Sequence, residues 1–135
     1  MDTWGTQYSH ESHLTALHHN GTILNKEDGV DFWSPKPQLC RLAWDINYAG
    51  LKEKLTPKVQ LERDEQEIVR IVYRYPTMGD NNTVHFSAME VKNDEDVQVM
   101  LDSHDIHKVR CVLQLNVETR RTVAEILRHL TPPAQ

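Results

Sequence analysis

A run of three carboxylates, Asp94, Glu95 and Asp96, is the first group of side chains in the sequence that suggests a chemistry. It directly follows Asn93, a residue type that commonly caps helices, and acidic residues in a first helical turn interact favourably with the helix dipole. The same carboxylates can accept charge-assisted hydrogen bonds from the Lys or Arg side chains of a partner protein. Two interpretations therefore stand side by side: ordinary first-turn acids, and a docking surface.

Histidine is the second residue type that could carry chemistry, because imidazole is a common zinc ligand. His10, His13, His18 and His19 lie close together near the start of the chain, and His10 and His13 would share one face of a helix. No cysteine lies near them in the sequence, and the paired ligand spacings typical of zinc sites are missing. The sequence therefore predicts no metal site and no bound cofactor.

The sequence gives even less support to a nucleophilic active site. Cys40 and Cys111 both fall at inward-facing positions of predicted strands, where a free cysteine packs as a small apolar residue. Three further histidines are scattered over different elements and are expected at the surface: His85, His104 and His107. Because no spacing joins a nucleophile to a base, we expect no catalytic residues and no enzymatic activity.

Size and charge limit the class of protein. A chain of 135 residues, 39% of them hydrophobic and 26% charged, is about one domain long and can bury one core. The net charge of -5 and the thinly spread 15 basic residues disfavour a nucleic-acid surface. No apolar stretch reaches the ~20 residues needed to span a bilayer. Two widely separated cysteines are typical of a reducing compartment, so we expect an intracellular protein, nuclear or cytoplasmic.

Alternation of apolar and polar residues predicts the strands of the first half. Residues 14–24 resemble a hairpin whose turn is Asn20-Gly21, because this pair readily adopts the positive φ values of a type I′ turn. A second turn is expected over residues 25–29. Cys40 and Leu42 then mark the inward side of a further half-buried strand.

Two helices are predicted between the strands. Asn47 is a suitable cap for the first, whose apolar face carries Leu51 and Leu55 and which Pro57 should end or kink. Asn93 caps a second, short helix, which begins with the acidic run.

The strands of the second half are clearer. Residues 68–75 alternate regularly and Pro76 should close that strand. A strand over residues 84–91 and a final strand over residues 108–117 follow. Residues 123–130 then predict an amphipathic helix.

This order of elements is that of a ubiquitin-like β-grasp fold in the α+β class. We expect a mixed sheet of about four to five strands packed on one main helix, with a second short helix and an extra C-terminal helix. The predicted organisation is a flexible N-terminal tail over residues 1–12, the β-grasp domain over residues 13–118, and a C-terminal amphipathic helix and tail over residues 119–135.

Six short segments, in this order and spacing, resemble the amino-terminal Phox-and-Bem-type domain of plant Mutator-like transposases and of genes domesticated from them. The resemblance covers residues 14–118 and lies in residues 24–29, 39–42, 46–55, 73–76, 91–97 and 100–101. It implies a β-grasp fold and protein–protein association in which an acidic face meets a basic face. In that family the catalytic carboxylates belong to a downstream domain, so the resemblance implies no activity for this chain.

The resemblance also implies which residues form the two faces. Asp94, Glu95 and Asp96 match the second half of the family's acidic motif, and Asp80 alone represents the first half. The family's basic face centres on a first-strand lysine, which His18-His19 replaces here. The basic residues that remain as candidates are Lys36, Arg41, Lys52 and Lys54.

We therefore expect a noncatalytic module that binds another protein, or itself as a homodimer, through these charged faces. The alternative is an accessory nucleic-acid-handling domain of a transposase-derived protein, which the net charge disfavours. Trp33 and Trp44 are aromatic candidates for an interface, although Trp44 fits the buried face of its strand equally well. The C-terminal amphipathic helix is expected to pack on its own chain, self-association being the other outcome.

Overall fold

The computed structural model describes residues 12–59, 66–107, 112–121 and Leu127. This part of the chain is an α+β structure with one mixed sheet of seven strands and two α-helices. In chain order the elements are β1 (Ser12–His19), β2 (Thr22–Lys26), β3 (Gly29–Trp33), β4 (Gln38–Ala43), α1 (Tyr48–Val59), β5 (Gln66–Met78), a 3-10 turn (Asp80–Asn82), β6 (Val84–Glu90), α2 (Asp94–His107) and β7 (Leu113–Arg121).

The strands lie in the order β2-β3-β6-β5-β7-β1-β4. β1 runs parallel to β7, with Leu17 opposite Leu115, and β3 meets β6 in parallel at one pair, Gly29 and Phe86. The other neighbours are antiparallel. The sheet therefore has more strands than the four to five predicted, because β2, β3 and β4 are separate strands of one sheet.

Both helices pack on the same face of this sheet. The buried side chains of α1 are Leu51, Leu55 and Val59, and those of α2 include Val97 and Met100. They join one apolar cluster with inward side chains of the sheet: Leu17, Cys40, Leu42, Ile71, Tyr73, Leu113, Leu115 and Val117. The alternation seen in the sequence thus identified the core side of β4 and β7 correctly.

The predicted hairpin at Asn20-Gly21 is wrong, because β1 and β2 are not neighbours in the sheet. Asn20 does adopt a positive φ of 50°, but its N–H donates to the carbonyl of Val117 at 2.8 Å. The Asn116 side chain accepts a hydrogen bond from the Gly21 N–H at 2.8 Å. The middle of β7 therefore stabilises this turn and directs the chain away from β1.

The β2–β3 hairpin, whose turn the sequence did predict, covers the sheet face opposite the helices. Phe32 is buried there against His18, with ring centroids 6.0 Å apart. Arg74 lies 3.5 Å from the centroid of the Phe86 ring and its Nε donates to the Val30 carbonyl at 2.7 Å. The same guanidinium faces the Asp31 carboxylate at 3.7 Å, so one side chain of β5 fixes the hairpin to the sheet.

Two details of β5 differ from prediction. Its register shifts between Ile68 and Arg70, and this irregularity moves Val69 to the exposed side while Ile68 packs on the core. The strand also continues through Pro76 to Met78. Pro76 lies opposite Phe86, whose N–H bonds to Asp28 instead of β5, so this is a non-hydrogen-bonded pair and proline removes no ladder bond.

The helices begin where the sequence predicts and end later. Asn47 caps α1 by accepting the Gly50 N–H at 2.8 Å, but α1 includes Pro57 and ends at Val59. The second helix was predicted to be short, whereas α2 has 14 residues and is longer than α1 with 12.

The predicted ends of the chain lie mostly outside the described residues. Residues 1–11 of the predicted tail and residues 122–126 and 128–135 of the C-terminal segment are not described, and Leu127 alone of that segment has a described, helical conformation. β7 continues to Arg121, past the predicted domain boundary at residue 118. Within the described residues, no helix is long and apolar enough to cross a membrane.

Gly29 provides a test of the β3–β6 junction. Its φ is +107°, and a Cβ atom there would lie 2.0 Å from the carbonyl oxygen of Phe86. We predict that Gly29→Ala lowers the free energy of unfolding by about 1–3 kcal/mol or more in urea denaturation. Gly79→Ala is the control, since a Cβ at Gly79 meets only a side-chain atom at 3.3 Å, and equal losses in the two variants would contradict the proposed strain.

Asp31 provides a pH test of the same hairpin. The hydrogen bond from Lys26, together with the charge of Arg74, lowers the pKa of Asp31 below its usual 3.8. The ionised carboxylate therefore stabilises the fold above that value, and this contribution is lost as the pH falls through the lowered pKa. We predict that Asp31→Asn is less stable than the wild type near neutral pH and that the gap closes between about pH 5 and pH 2 in urea denaturation.

The control for this titration is Asp45→Asn, which removes an exposed carboxylate from the turn before α1. It removes one negative charge, as Asp31→Asn does, but leaves the contacts of Asp31 with Lys26 and Arg74 in place. A gap that closes equally in both variants would show that general charge neutralisation, and not the Asp31 contacts, is responsible.

Candidate functional site

A groove of about 750 Å³ lies between β4 and α1. Among the described residues, β4 is the last strand of the sheet and pairs only with β1, so its other edge faces this groove. Arg41 lines the groove from the strand, and Gly50, Lys54, Pro57 and Lys58 line it from the helix. The groove therefore combines an unpaired strand edge with one face of a helix.

The sequence of α1 builds the helical wall. Gly50, Lys54 and Lys58 recur at intervals of four and so share one face, while Leu51 and Leu55 share the neighbouring face that is buried in the core. At one end of the groove the Gln38 side chain donates to the Lys58 carbonyl at 2.9 Å. That hydrogen bond joins the start of β4 to the last turn of α1.

The groove carries an excess of positive charge. Arg41, Lys54 and Lys58 line it, and Glu53 is the one acidic residue among the described residues of the lining. Burial raises the pKa of the Cys40 thiol, and the charges of Lys58 and Lys54 offset only part of this effect. Cys40 thus remains a protonated core residue while its lysine neighbours face the groove.

The structure brings together two of the four predicted basic residues. Arg41 and Lys54 both line the groove, whereas Lys36 lies in the exposed loop before β4. Lys52 also lies outside the lining, and its ammonium is 5.4 Å from the centroid of the Tyr48 ring. Lys58 was missed, although its spacing of four from Lys54 already indicated a shared helical face.

Two carboxylates of the acidic run accept hydrogen bonds from backbone groups of their own chain. The Asp94 carboxylate accepts a hydrogen bond from the Tyr48 N–H at 2.8 Å and so satisfies the start of α1. Asp96 accepts from the Lys92 N–H at 2.9 Å, and its own N–H donates to Asn93 at 2.8 Å. The Asp94 carboxylate therefore caps the start of α1, and the Asp96 carboxylate stabilises the turn that leads into α2.

Asp94 and Glu95 are both exposed, whereas Asp96 is half-buried. Asp80 is exposed as well, but it lies in the 3-10 turn at the tip of the β5–β6 hairpin. The seven residues of β6 separate it from the start of α2, which is roughly 20 Å at ~3.3 Å per residue. The four predicted acidic residues are therefore not one cluster.

Two histidines expected at the surface are buried instead. His104 and His107 face the sheet because α2 extends to His107. Nδ1 of His104 lies 2.9 Å from Nδ1 of His13 on β1, which requires one ring to donate and the other to accept. His18 similarly bonds to the Ser34 hydroxyl at 2.8 Å. The described part of the chain contains no group of three or more His, Cys, Asp or Glu side chains arranged to hold a metal ion.

Both candidate interface tryptophans are accessible. Trp33 is 56% exposed and Trp44 is 58% exposed, so the alternative of a buried Trp44 is wrong. β4 ends at Ala43, and Trp44 lies in the turn closed by the hydrogen bond from the Ile46 N–H to the Ala43 carbonyl. Ala43 and Ile46 both line the groove, so Trp44 lies at its end.

Comparisons with protein-family models, with curated proteins and with solved structures found no match.

The acidic run can be tested by separating its members. We predict that Asp94→Ala lowers the free energy of unfolding by about 1 kcal/mol, because it removes a cap from α1. Glu95→Ala, a matched change one residue away, should alter it by less than about 0.5 kcal/mol. Urea denaturation at neutral pH measures both, and equal effects of the two substitutions would argue against the cap.

Proposed function

We propose that this chain is a noncatalytic protein-interaction module whose main contact surface is the basic groove between β4 and α1. The observation that carries this proposal is the clustering of Arg41, Lys54 and Lys58 around an unpaired strand edge in a chain with a net charge of -5. Positive charge concentrated in one concave surface of an acidic protein favours an acidic partner.

The topology supports a β-grasp assignment of the fold. Five of the strands lie in the order β4-β1-β7-β5-β6, with the first and last strands of the chain parallel at the centre. This is the arrangement of a β-grasp sheet, to which the β2–β3 hairpin adds two strands beyond β6. The assignment agrees with the resemblance to the amino-terminal domains of Mutator-like transposases, and a transposase origin is part of the proposal.

The roles of the histidines and of Cys40 favour binding over catalysis. His13, His18 and His104 are buried and hydrogen-bonded inside the fold. Cys40 is buried and its pKa is raised, which is the opposite of an activated thiol. The acidic run contributes a second, smaller surface, in which Asp94 and Glu95 are exposed and Asp94 also caps α1, so Glu95 is offered to a partner.

Reversal of the groove charges tests the proposal. We predict that the chain binds a fluorescent Glu-rich peptide in anisotropy titrations and that this binding weakens as salt rises. Lys54→Glu combined with Lys58→Glu should weaken it at least tenfold. Lys52→Glu with Lys92→Glu is the control, because it makes the same change in net charge at exposed or half-exposed lysines outside the groove.

Three results would overturn the proposal. These are absence of binding at low salt, equal losses in the groove variant and its control, or tighter binding of a DNA duplex than of the peptide at physiological salt. The last result would favour the nucleic-acid alternative. Light scattering over the same salt series decides whether a second copy is the partner, since an electrostatic dimer would dissociate toward the monomer as salt rises.

A further inference from the structure

The edge of β4 that faces the groove is a row of backbone groups beside which the described part of the chain places no strand. Strand β4 contains six residues, and within these described ranges it pairs through them with β1 on one side only. In such an edge strand, alternate residues direct their N–H and C=O groups away from the sheet. Natural sheets usually cover, twist or shorten an edge of this kind.

The groove is bounded on one side by the full length of β4, which is long enough to pair with one additional strand. β4 is about 17 Å long at ~3.3 Å per residue, and a strand added to it would lie ~4.8 Å away. α1 runs antiparallel to β4, with Ile46 and Gly50 near the Ala43 end and Lys58 held to Gln38 at the other. The hydrogen bond at one end and the turn at the other keep the helix at a fixed distance from the strand edge.

The lining indicates the chemistry of the occupant. Ile46, Gly50 and Pro57 present apolar or side-chain-free surface to the groove. Arg41 and Lys58 present cations from the strand side and the helix side. Because successive residues of a strand point to opposite sides, this lining suits a segment in which apolar and acidic residues alternate.

We infer that the groove binds an extended acidic segment of a partner protein, which pairs with the free edge of β4 as an additional strand. The inference rests on the proposed function and specifies its partner and its mode of binding. Backbone hydrogen bonds to β4 would hold the segment in an extended conformation whatever its side chains are. The cations of the groove would then select segments with acidic side chains. The start of α2 in a second copy does not suit this role, because it is helical and its Asp94 and Asp96 already cap helices.

Backbone methylation distinguishes strand pairing from simple charge attraction. The probe is a synthetic peptide of about eight residues with alternating Val and Asp, titrated against the whole chain by calorimetry. In one version the backbone nitrogens of the odd-numbered peptide residues are methylated, and in the other version those of the even-numbered residues are methylated. Both versions have the same charge and composition.

If the peptide pairs with β4, one methylated version should bind at least tenfold more weakly than the other, because only one set of its N–H groups faces the strand. Amide exchange of alternate residues between Gln38 and Ala43, followed by NMR, should slow when the unmodified peptide binds. The variant Lys54→Glu with Lys58→Glu should lose binding, and Lys52→Glu with Lys92→Glu should retain it.

The outcomes separate the two proposals. Equal binding of both methylated versions, with the charge dependence intact and no slowing of exchange in β4, would overturn strand addition and leave the proposed function in place. If Lys54→Glu with Lys58→Glu binds the peptide as well as the wild type does, or if the wild type does not bind it at low salt, both the strand addition and the proposed function would be overturned. A preference between the methylated versions without slowed exchange in β4 would place the added strand elsewhere and would also overturn the inference.

Discussion

The parallel pairing of β1 with β7 is the constraint on which the rest of the structure depends. It aligns Thr15 with Leu113 and His19 with Val117, two segments at opposite ends of the sequence. Parallel strands cannot be joined by a tight turn, so this pairing forms only when the intervening chain has found its place. With β7 on one side of β1, the other side is taken by β4, which becomes an edge strand beside α1.

Local features of the sequence predicted most of the elements. Asn47 and Asn93 mark the starts of both helices, because a cap acts on backbone groups two or three residues away. The alternation of apolar and polar residues predicted the inward face of β4 and β7. The sheet neighbours of β2 could not be predicted in the same way, because Asn20-Gly21 suits a hairpin and a crossover equally. Asn116, far along the chain, decides between them by bonding to Gly21.

The same distinction applies to the candidate site: the sequence identifies its charged residues, and tertiary packing decides which of them lie together. Arg41 and Lys54 were named from the sequence, but their common groove depends on the packing of α1 beside β4. The sequence alone does not distinguish Glu95 from the two acidic residues beside it. Only the approach of Tyr48 to Asp94 shows that part of the run serves the fold. Charge is visible in a sequence, whereas the availability of a charge depends on tertiary contacts.

An unpaired strand edge is also a hazard, because two copies of the same protein can join through it. Here the same residues that favour an acidic partner oppose that outcome. If two β4 edges met, the two copies of Arg41 and of the Lys54 and Lys58 pair would be brought together in one groove, and like charges at short range are unfavourable. An acidic strand removes this repulsion, so one set of cations both discourages self-pairing and selects the partner.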